Sequence, residues 1–150
     1  MKEGNPKAIY LKDYQQPNYW ISQVNLRFEL FDDKTLVHAK LNLQVNQGGS
    51  SQCDLQLHGE QLLLKQVSID GKQLDEGDYS VNSEALTIKN PPEQFTLSTL
   101  VEIDPAQNTA LEGLYLSSGN YCTQCEAEGF RKITYYLDRP DVMAVFSVRI

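Results

Sequence analysis

Val24-Asn25-Leu26-Arg27-Phe28-Glu29-Leu30 and, beyond Asp32-Asp33-Lys34, Val37-His38-Ala39-Lys40-Leu41-Asn42-Leu43-Gln44-Val45 alternate apolar and polar side chains without a break. Side chains of a strand point to opposite faces in turn, so each run reads as a strand with one face buried and one wet. The intervening Asp32-Asp33-Lys34 favours a turn, and the two runs are predicted to pair as an antiparallel hairpin. Working outward, Gly48-Gly49-Ser50-Ser51 is a flexible break. Cys53, Leu55 and Leu57 then alternate with Asp54, Gln56 and His58. Further short strands are expected at Leu64–Ile69, Tyr79–Val81, Ala85–Ile88, Phe95–Ile103 and Leu111–Ser118, separated by Asp70-Gly71, Glu76-Gly77-Asp78 and Asn90-Pro91-Pro92. Clean in-and-out alternation belongs to antiparallel sheets with one wet face, whereas parallel α/β sheets give continuous apolar runs between helices.

The predicted fold class is therefore all-β, a twisted antiparallel sandwich. A short helical segment is expected near the C-terminal end, around Ala127 to Ile133. Asp138-Arg139-Pro140 should end it, because the residue before a proline is pushed out of the α region. Ala144, Phe146, Val148 and Ile150 resume alternation as one face of a last strand, which stops without a turn or polar tail, so the chain is expected to continue beyond it. Met1 to Pro17 reads as an extended arm anchored by Ile9, Tyr10 and Tyr14.

A length of 150 residues with 41% hydrophobic and 22% charged side chains suits one domain, 1–150, burying roughly 70% of its unfolded surface without help from disulfides or metals. Thirteen Lys and Arg stand against twenty Asp and Glu, and the net charge of −7 would repel a phosphate backbone. Nucleic acid is not an expected partner. No apolar run has the length of a signal peptide or a membrane span, and the three cysteines form an odd set, so the expected compartment is cytoplasmic, with no membrane partner.

His38 and His58 fall on the polar phase of their strands and read as surface residues. Cys122-Thr123-Gln124-Cys125 could bind metal or work as a redox dithiol, but it lacks a second ligand pair and a βαβ setting; incidental thiols are the simpler reading. No short catalytic motif is present. Gln124, Glu126 and Glu128 make a polar cluster near Phe130, Tyr135 and Tyr136. It reads either as a solvated loop or as an ammonium-binding site, because a carboxylate in a partly dry pocket attracts a protonated amine more strongly than in water.

Three runs carry a family resemblance: Asn108-Thr109-Ala110-Leu111-Glu112-Gly113-Leu114-Tyr115, Cys122 to Arg131, and Ile133 to Val142. They resemble the bacterial aminopeptidase N family of zinc metallopeptidases. Its pattern of Thr-Gln-x-Glu, an Arg five residues on and then Asp-x-Pro is met by Thr123, Gln124, Glu126, Arg131, Asp138 and Pro140. Asp13 to Tyr19 is similar in layout to the start of that domain. Many relatives have Cys-Phe-Asp-Glu-Pro where this chain has Tyr136-Leu137-Asp138-Arg139-Pro140, the form that resembles the bacterial subgroup.

The resemblance implies a β-rich, saddle-like N-terminal domain covering a catalytic domain of the same protein. It implies that Glu126 binds the free α-ammonium of a peptide substrate and that Gln124 lines the pocket for the first side chain. The family's Gly-x-Met-Glu-Asn segment and His-Glu-x-x-His zinc helix are absent here. Zinc is thus expected only in the full-length enzyme, with no metal ligand and no catalytic residue in this chain, which should be inactive alone. Its partners would be its own catalytic domain and peptides with a free N-terminus, and the face turned to that domain should expose an apolar patch. The rival expectation is a non-catalytic β-sandwich binding or interaction module, in which the Thr123 to Pro140 segment merely packs.

Overall fold

The computed structural model describes residues 10–46 and 53–150. The Gly48-Gly49-Ser50-Ser51 break, Ile9 and most of the N-terminal arm lie outside the described residues.

The opening hairpin forms as β1 (Tyr19–Leu30) and β2 (Thr35–Val45), paired antiparallel with Val24 opposite Leu41 and Leu26 opposite Ala39. The Phe31 amide donates to the Lys34 carbonyl at 2.8 Å and closes the turn. β1 begins five residues earlier than its alternation predicts, because a bulge between Ile21 and Gln23 shifts the register. The extra residue reverses the parity, so Tyr19 and Ile21 before it and Val24 and Leu26 after it all point inward. At the far end the expected face fails: Phe28 is half-buried and Leu30 is exposed.

β3 (Leu55–His58), β4 (Leu63–Ile69), β5 (Lys72–Gln73), β6 (Tyr79–Val81), β7 (Ala85–Ile88) and β8 (Gln94–Ile103) follow. Next come β9 (Gly113–Ser117), β10 (Asn120–Gln124) and β11 (Val145–Arg149). One sheet runs β11-β1-β2-β8-β4-β5, a second runs β3-β7-β6, and β9 and β10 form a hairpin of their own. Val24, Leu41, Leu97 and Val101 from the large sheet share one buried cluster with Leu55, Leu57, Leu86 and Ile88 from the small one, the two-sheet core expected of a sandwich.

Several expectations need correction. The Cys53 run enters its strand only at Leu55, and the Leu111 run only at Gly113, with Leu111 itself exposed and at φ +57°. β10 was not expected. Its signal was Ser118-Gly119, both at positive φ, which is the backbone of a tight hairpin turn. β11 pairs with β1 in parallel, Val24 opposite Phe146, so the large sheet is mixed and not wholly antiparallel. Along this edge Phe146, Val148 and Ile150 are exposed, as are Met143 and Val145. The helical segment is one 3-10 turn, Phe130–Lys132.

Burial separates two leucines that the alternation treats alike. Leu41→Ala, at a fully buried position, is expected to cost about 2 to 5 kcal/mol in urea unfolding, and Leu30→Ala less than about 1 kcal/mol. Equal losses would contradict this placement of the core.

Candidate functional site

Gln124 ends β10 opposite Gly113 of β9, and the chain then turns through Cys125 to Gly129 into the 3-10 turn. The Gly129 amide donates to the Cys125 carbonyl at 2.9 Å, and the Glu126–Ala127 peptide bond is cis. Gly129 is there for space: a Cβ would lie 2.3 Å from the Gln124 carbonyl oxygen and 3.0 Å from the Gly113 nitrogen. Gly113, at φ +74°, is confined as well, since a Cβ would stand 2.8 Å from that of Lys132. Hairpin, turn and 3-10 turn thus touch backbone to backbone.

Arg131 anchors this unit. Its guanidinium, 11% exposed, donates through Nε to Asp138 Oδ2 at 2.9 Å and through Nη2 to the Asp138 carbonyl at 3.0 Å, and its backbone amide donates to the same carboxylate at 3.2 Å. Glu128 lies 3.4 Å from Nη2 and Glu60 3.9 Å from Nη1. On the hairpin side, Lys132 pairs with Glu112 at 2.9 Å.

Ile133 to Leu137 then runs as a buried strap across the end of β3. His58 and Tyr136 exchange backbone hydrogen bonds, and Gly59 leaves room for the Tyr135 ring, which a Cβ there would meet at 2.3 Å. Tyr136 packs edge-on against Phe130 at 5.0 Å, and burial, with the charge of Asp138 adding, pushes its phenol up to about 12. Beyond the strap, Arg139 grips Asp141 through two bonds of 2.9 and 2.7 Å and donates to the Gln15 carbonyl, while the Tyr14 hydroxyl donates to Asp141. Tyr14 therefore does tie down the N-terminal arm. Strap, arm and β3 enclose a cleft of about 680 Å³.

Gln124 and Glu126, the two residues singled out in the sequence, lie together on the exposed turn, with Gln124 Nε2 donating to the Glu126 carbonyl at 3.2 Å. The Glu126 carboxylate has no ion pair or hydrogen bond among the described residues. Glu112, Glu128, Asp138 and Asp141 of the same region each face a cation, with Arg131 shared between Glu128 and Asp138. The turn is not a dry pocket within this chain, since Glu126 is exposed.

His58 departs from its expected surface position. It keeps the polar phase of β3 but is half-buried under the strap, and its Nδ1 accepts from the Asp138 amide at 3.1 Å. Burial first, then the charge of Arg131, pushes its imidazole below the ordinary range. His38, half-exposed on β2, meets Arg27 at 2.9 Å and Glu29 at 3.1 Å. Cys122 sits in β10, and burial pushes the Cys125 thiol up, making it a weaker nucleophile. Among the described residues no group of three or more His, Cys, Asp or Glu could hold a metal ion, and no helix is long and apolar enough to cross a membrane.

Residues 14–150 match the Peptidase M1 N-terminal domain family. The chain belongs to that family. This M1 N-terminal domain is 48% identical over its whole length to aminopeptidase N of Caulobacter vibrioides, covering 17% of that protein. It is 49% identical over 145 residues to aminopeptidase N of Escherichia coli, covering 97% of the chain and 16% of that protein. It thus spans about a sixth of the length of the curated relatives it matches. Aminopeptidase A of Legionella pneumophila, solved with aspartic acid, superposes with a TM-score of 0.84 at 31% identity, over 92% of this chain and 16% of that one. An M1 zinc metallopeptidase of Deinococcus radiodurans shares the fold, with a TM-score of 0.71 at 13% identity over 87% of this chain and 32% of that one.

The two carboxylates bound to arginine should differ in weight within this M1 domain. Asp138→Ala deprives a buried guanidinium of its main partner and is expected to cost about 3 to 5 kcal/mol in urea unfolding. Asp141→Ala, at a more open pair, should cost under about 1 kcal/mol. The reverse order would show that Arg131 is not the anchor.

Proposed function

We propose that residues 1–150 are the N-terminal β domain of a cytoplasmic zinc aminopeptidase that releases N-terminal residues from peptides. In this reading Glu126 binds the substrate's α-ammonium and Gln124 lines the pocket for its first side chain. The unpaired charge of Glu126 carries it. The carboxylates of Glu112, Glu128, Asp138 and Asp141 each lie against a cation, whereas that of Glu126, on the exposed turn, has none among the described residues. The names of the relatives agree with this use, since they are aminopeptidases.

The described residues of this chain do not fit a zinc site: His38 and His58 sit on different sheets, and no third donor joins either. Zinc would be held by the rest of the enzyme, where it supplies Lewis-acid activation of water and of the scissile carbonyl. This chain's share is binding and orientation. Glu126 would fix the amine end of the peptide and so set how far the first peptide bond reaches into the site. A peptide without a free amine would leave that carboxylate unpaired once the site closes over it.

The exposed apolar side chains at Met143, Val145, Phe146, Val148 and Ile150 suit a surface that packs on that catalytic domain. Free thiols at Cys53, Cys122 and Cys125 suit a reducing cytoplasm.

In the complete enzyme, Glu126→Ala is expected to raise KM and lower kcat/KM for amino-acyl amides by roughly 30-fold or more, the weight of an unpaired charge in a closed site. The preference for free over N-acetylated substrates should shrink with it. Unchanged steady-state kinetics would refute the assignment of Glu126.

A further inference from the structure

We propose that His58 is a positioning residue for the turn that carries Gln124 and Glu126, holding it in place only while imidazole Nδ1 is free to accept a hydrogen bond. This rests on the reading of Glu126 as the amine-binding carboxylate.

A short run of contacts links the two. His58 ends β3, exchanges backbone hydrogen bonds with Tyr136 at 2.8 and 3.1 Å, and accepts the Asp138 amide on Nδ1 at 3.1 Å. Those bonds fix the Asp138 backbone, and the Asp138 carboxylate in turn accepts from both the amide and the guanidinium of Arg131. Arg131 belongs to the 3-10 turn that follows Gly129, and the Gly129 amide closes the Gln124–Glu126 turn on Cys125. The side chain of β3 thereby sets the height of a turn on another part of the fold.

The brace depends on protonation state. An imidazole with Nδ1 unprotonated accepts the Asp138 amide; an imidazolium turns Nδ1 into a donor and sets two N–H groups against each other. Among the charged groups around it, Arg131 opposes that second proton, while Asp138 and Glu128 favour it. Glu60, two residues along the chain, faces Arg131. Tyr14, Asp54, Arg139 and Asp141 line the same cleft, with Tyr14, Arg139 and Asp141 bound to one another. Burial and Arg131 prevail, and the imidazole titrates below its ordinary 6.5. The folded value lying below the unfolded one, the stability the brace contributes is full above about pH 6.5. Stability drops as the pH falls from there toward the folded value, and the accepting nitrogen is lost as the pH passes through it.

The test measures KM and kcat for an amino-acyl amide between about pH 7 and pH 5 in the complete enzyme, with hydrogen exchange over residues 124–138 at each pH. Wild type, His58→Asn and His58→Ala are compared. Asparagine keeps an accepting oxygen near the Nδ1 position but does not titrate. In the wild type, KM is expected to rise about fivefold as the pH passes through the folded value of His58, the weight of one net hydrogen bond, while the acid loss of kcat common to a zinc-activated water is shared by wild type and His58→Asn. His58→Asn should keep the neutral KM and flatten the rise, and His58→Ala should show the raised KM already at neutral pH. An acid rise that persists in His58→Asn overturns the proposal, as does a His58→Ala enzyme with normal KM and exchange. Should His58→Ala fail to fold, the asparagine variant decides alone. If Glu126→Gln leaves KM unchanged, the amine-binding reading fails and exchange judges the brace. Acid-induced exchange present in wild type and absent from His58→Asn upholds it; equal exchange in both overturns it.

Discussion

The buried pair of Arg131 and Asp138 is the constraint on which the end of the fold that carries the Gln124–Glu126 turn depends. A guanidinium taken out of water is costly unless its donors are met, and here one aspartate meets the side chain through carboxylate and carbonyl and the Arg131 backbone amide as well. Seven residues separate the two partners. The pair therefore cinches the 3-10 turn and the strap into a loop whose ends cannot drift apart. Everything attached to that loop inherits its position: the Gly129 closure and the Gln124–Glu126 turn on one side, Tyr135 and Tyr136 on the other.

The sheets supply the wall against which this loop is pressed. At three close approaches, Gly59, Gly113 and Gly129, a Cβ would stand within about 3 Å of a ring, a side-chain Cβ or a backbone oxygen. They lie at successive joints: β3 to strap, β9 to 3-10 turn, and β10 to the residue closing the turn. Replacing the polar hub with a tightly packed apolar one could stabilise the domain as well, but greasy contacts do not fix direction. The hydrogen-bond fork of arginine does, and direction is what a turn presenting a carboxylate needs.

Alternation along the chain made the central strands legible, since Val24, Leu26, Val37, Ala39, Leu41, Leu97 and Val101 face one core and differ little in environment. It failed where a local device breaks the period. The bulge near Ser22 reverses parity and hid the first residues of β1, and Ser118-Gly119 joins two strands too short for their alternation to stand out. β11 alternates correctly, yet its apolar face is open, because an edge strand is covered only by what lies beside it. At the site, Gln124, Glu126, Arg131 and Asp138 were legible through a family pattern and not through periodicity. His58 and Glu60 were not legible, since their contacts with the strap and Arg131 bridge more than seventy residues and no local signal encodes them.

On the proposed reading, the exposure of Glu126 determines what this domain would contribute to binding. Two opposite charges about 4 Å apart in bulk water attract by only about 1 kcal/mol, too little to hold a peptide by its amine. The same pair shielded from solvent attracts several times more strongly, so in the proposed role the affinity would come from closure of another surface over the turn. Before closure the carboxylate stays hydrated, and the domain does not bear the desolvation cost of a buried, unpaired charge. On the proposed reading, what the chain would supply in advance is placement: a turn set on the buried pair, with Asp138, Glu112 and Asp141 each facing Arg131, Lys132 or Arg139 and Arg131 shared further with Glu60 and Glu128. A preorganised, uncommitted charge contributes selectivity through its position, and that position is set by the buried ion pair rather than by the exposed residue that would touch the substrate.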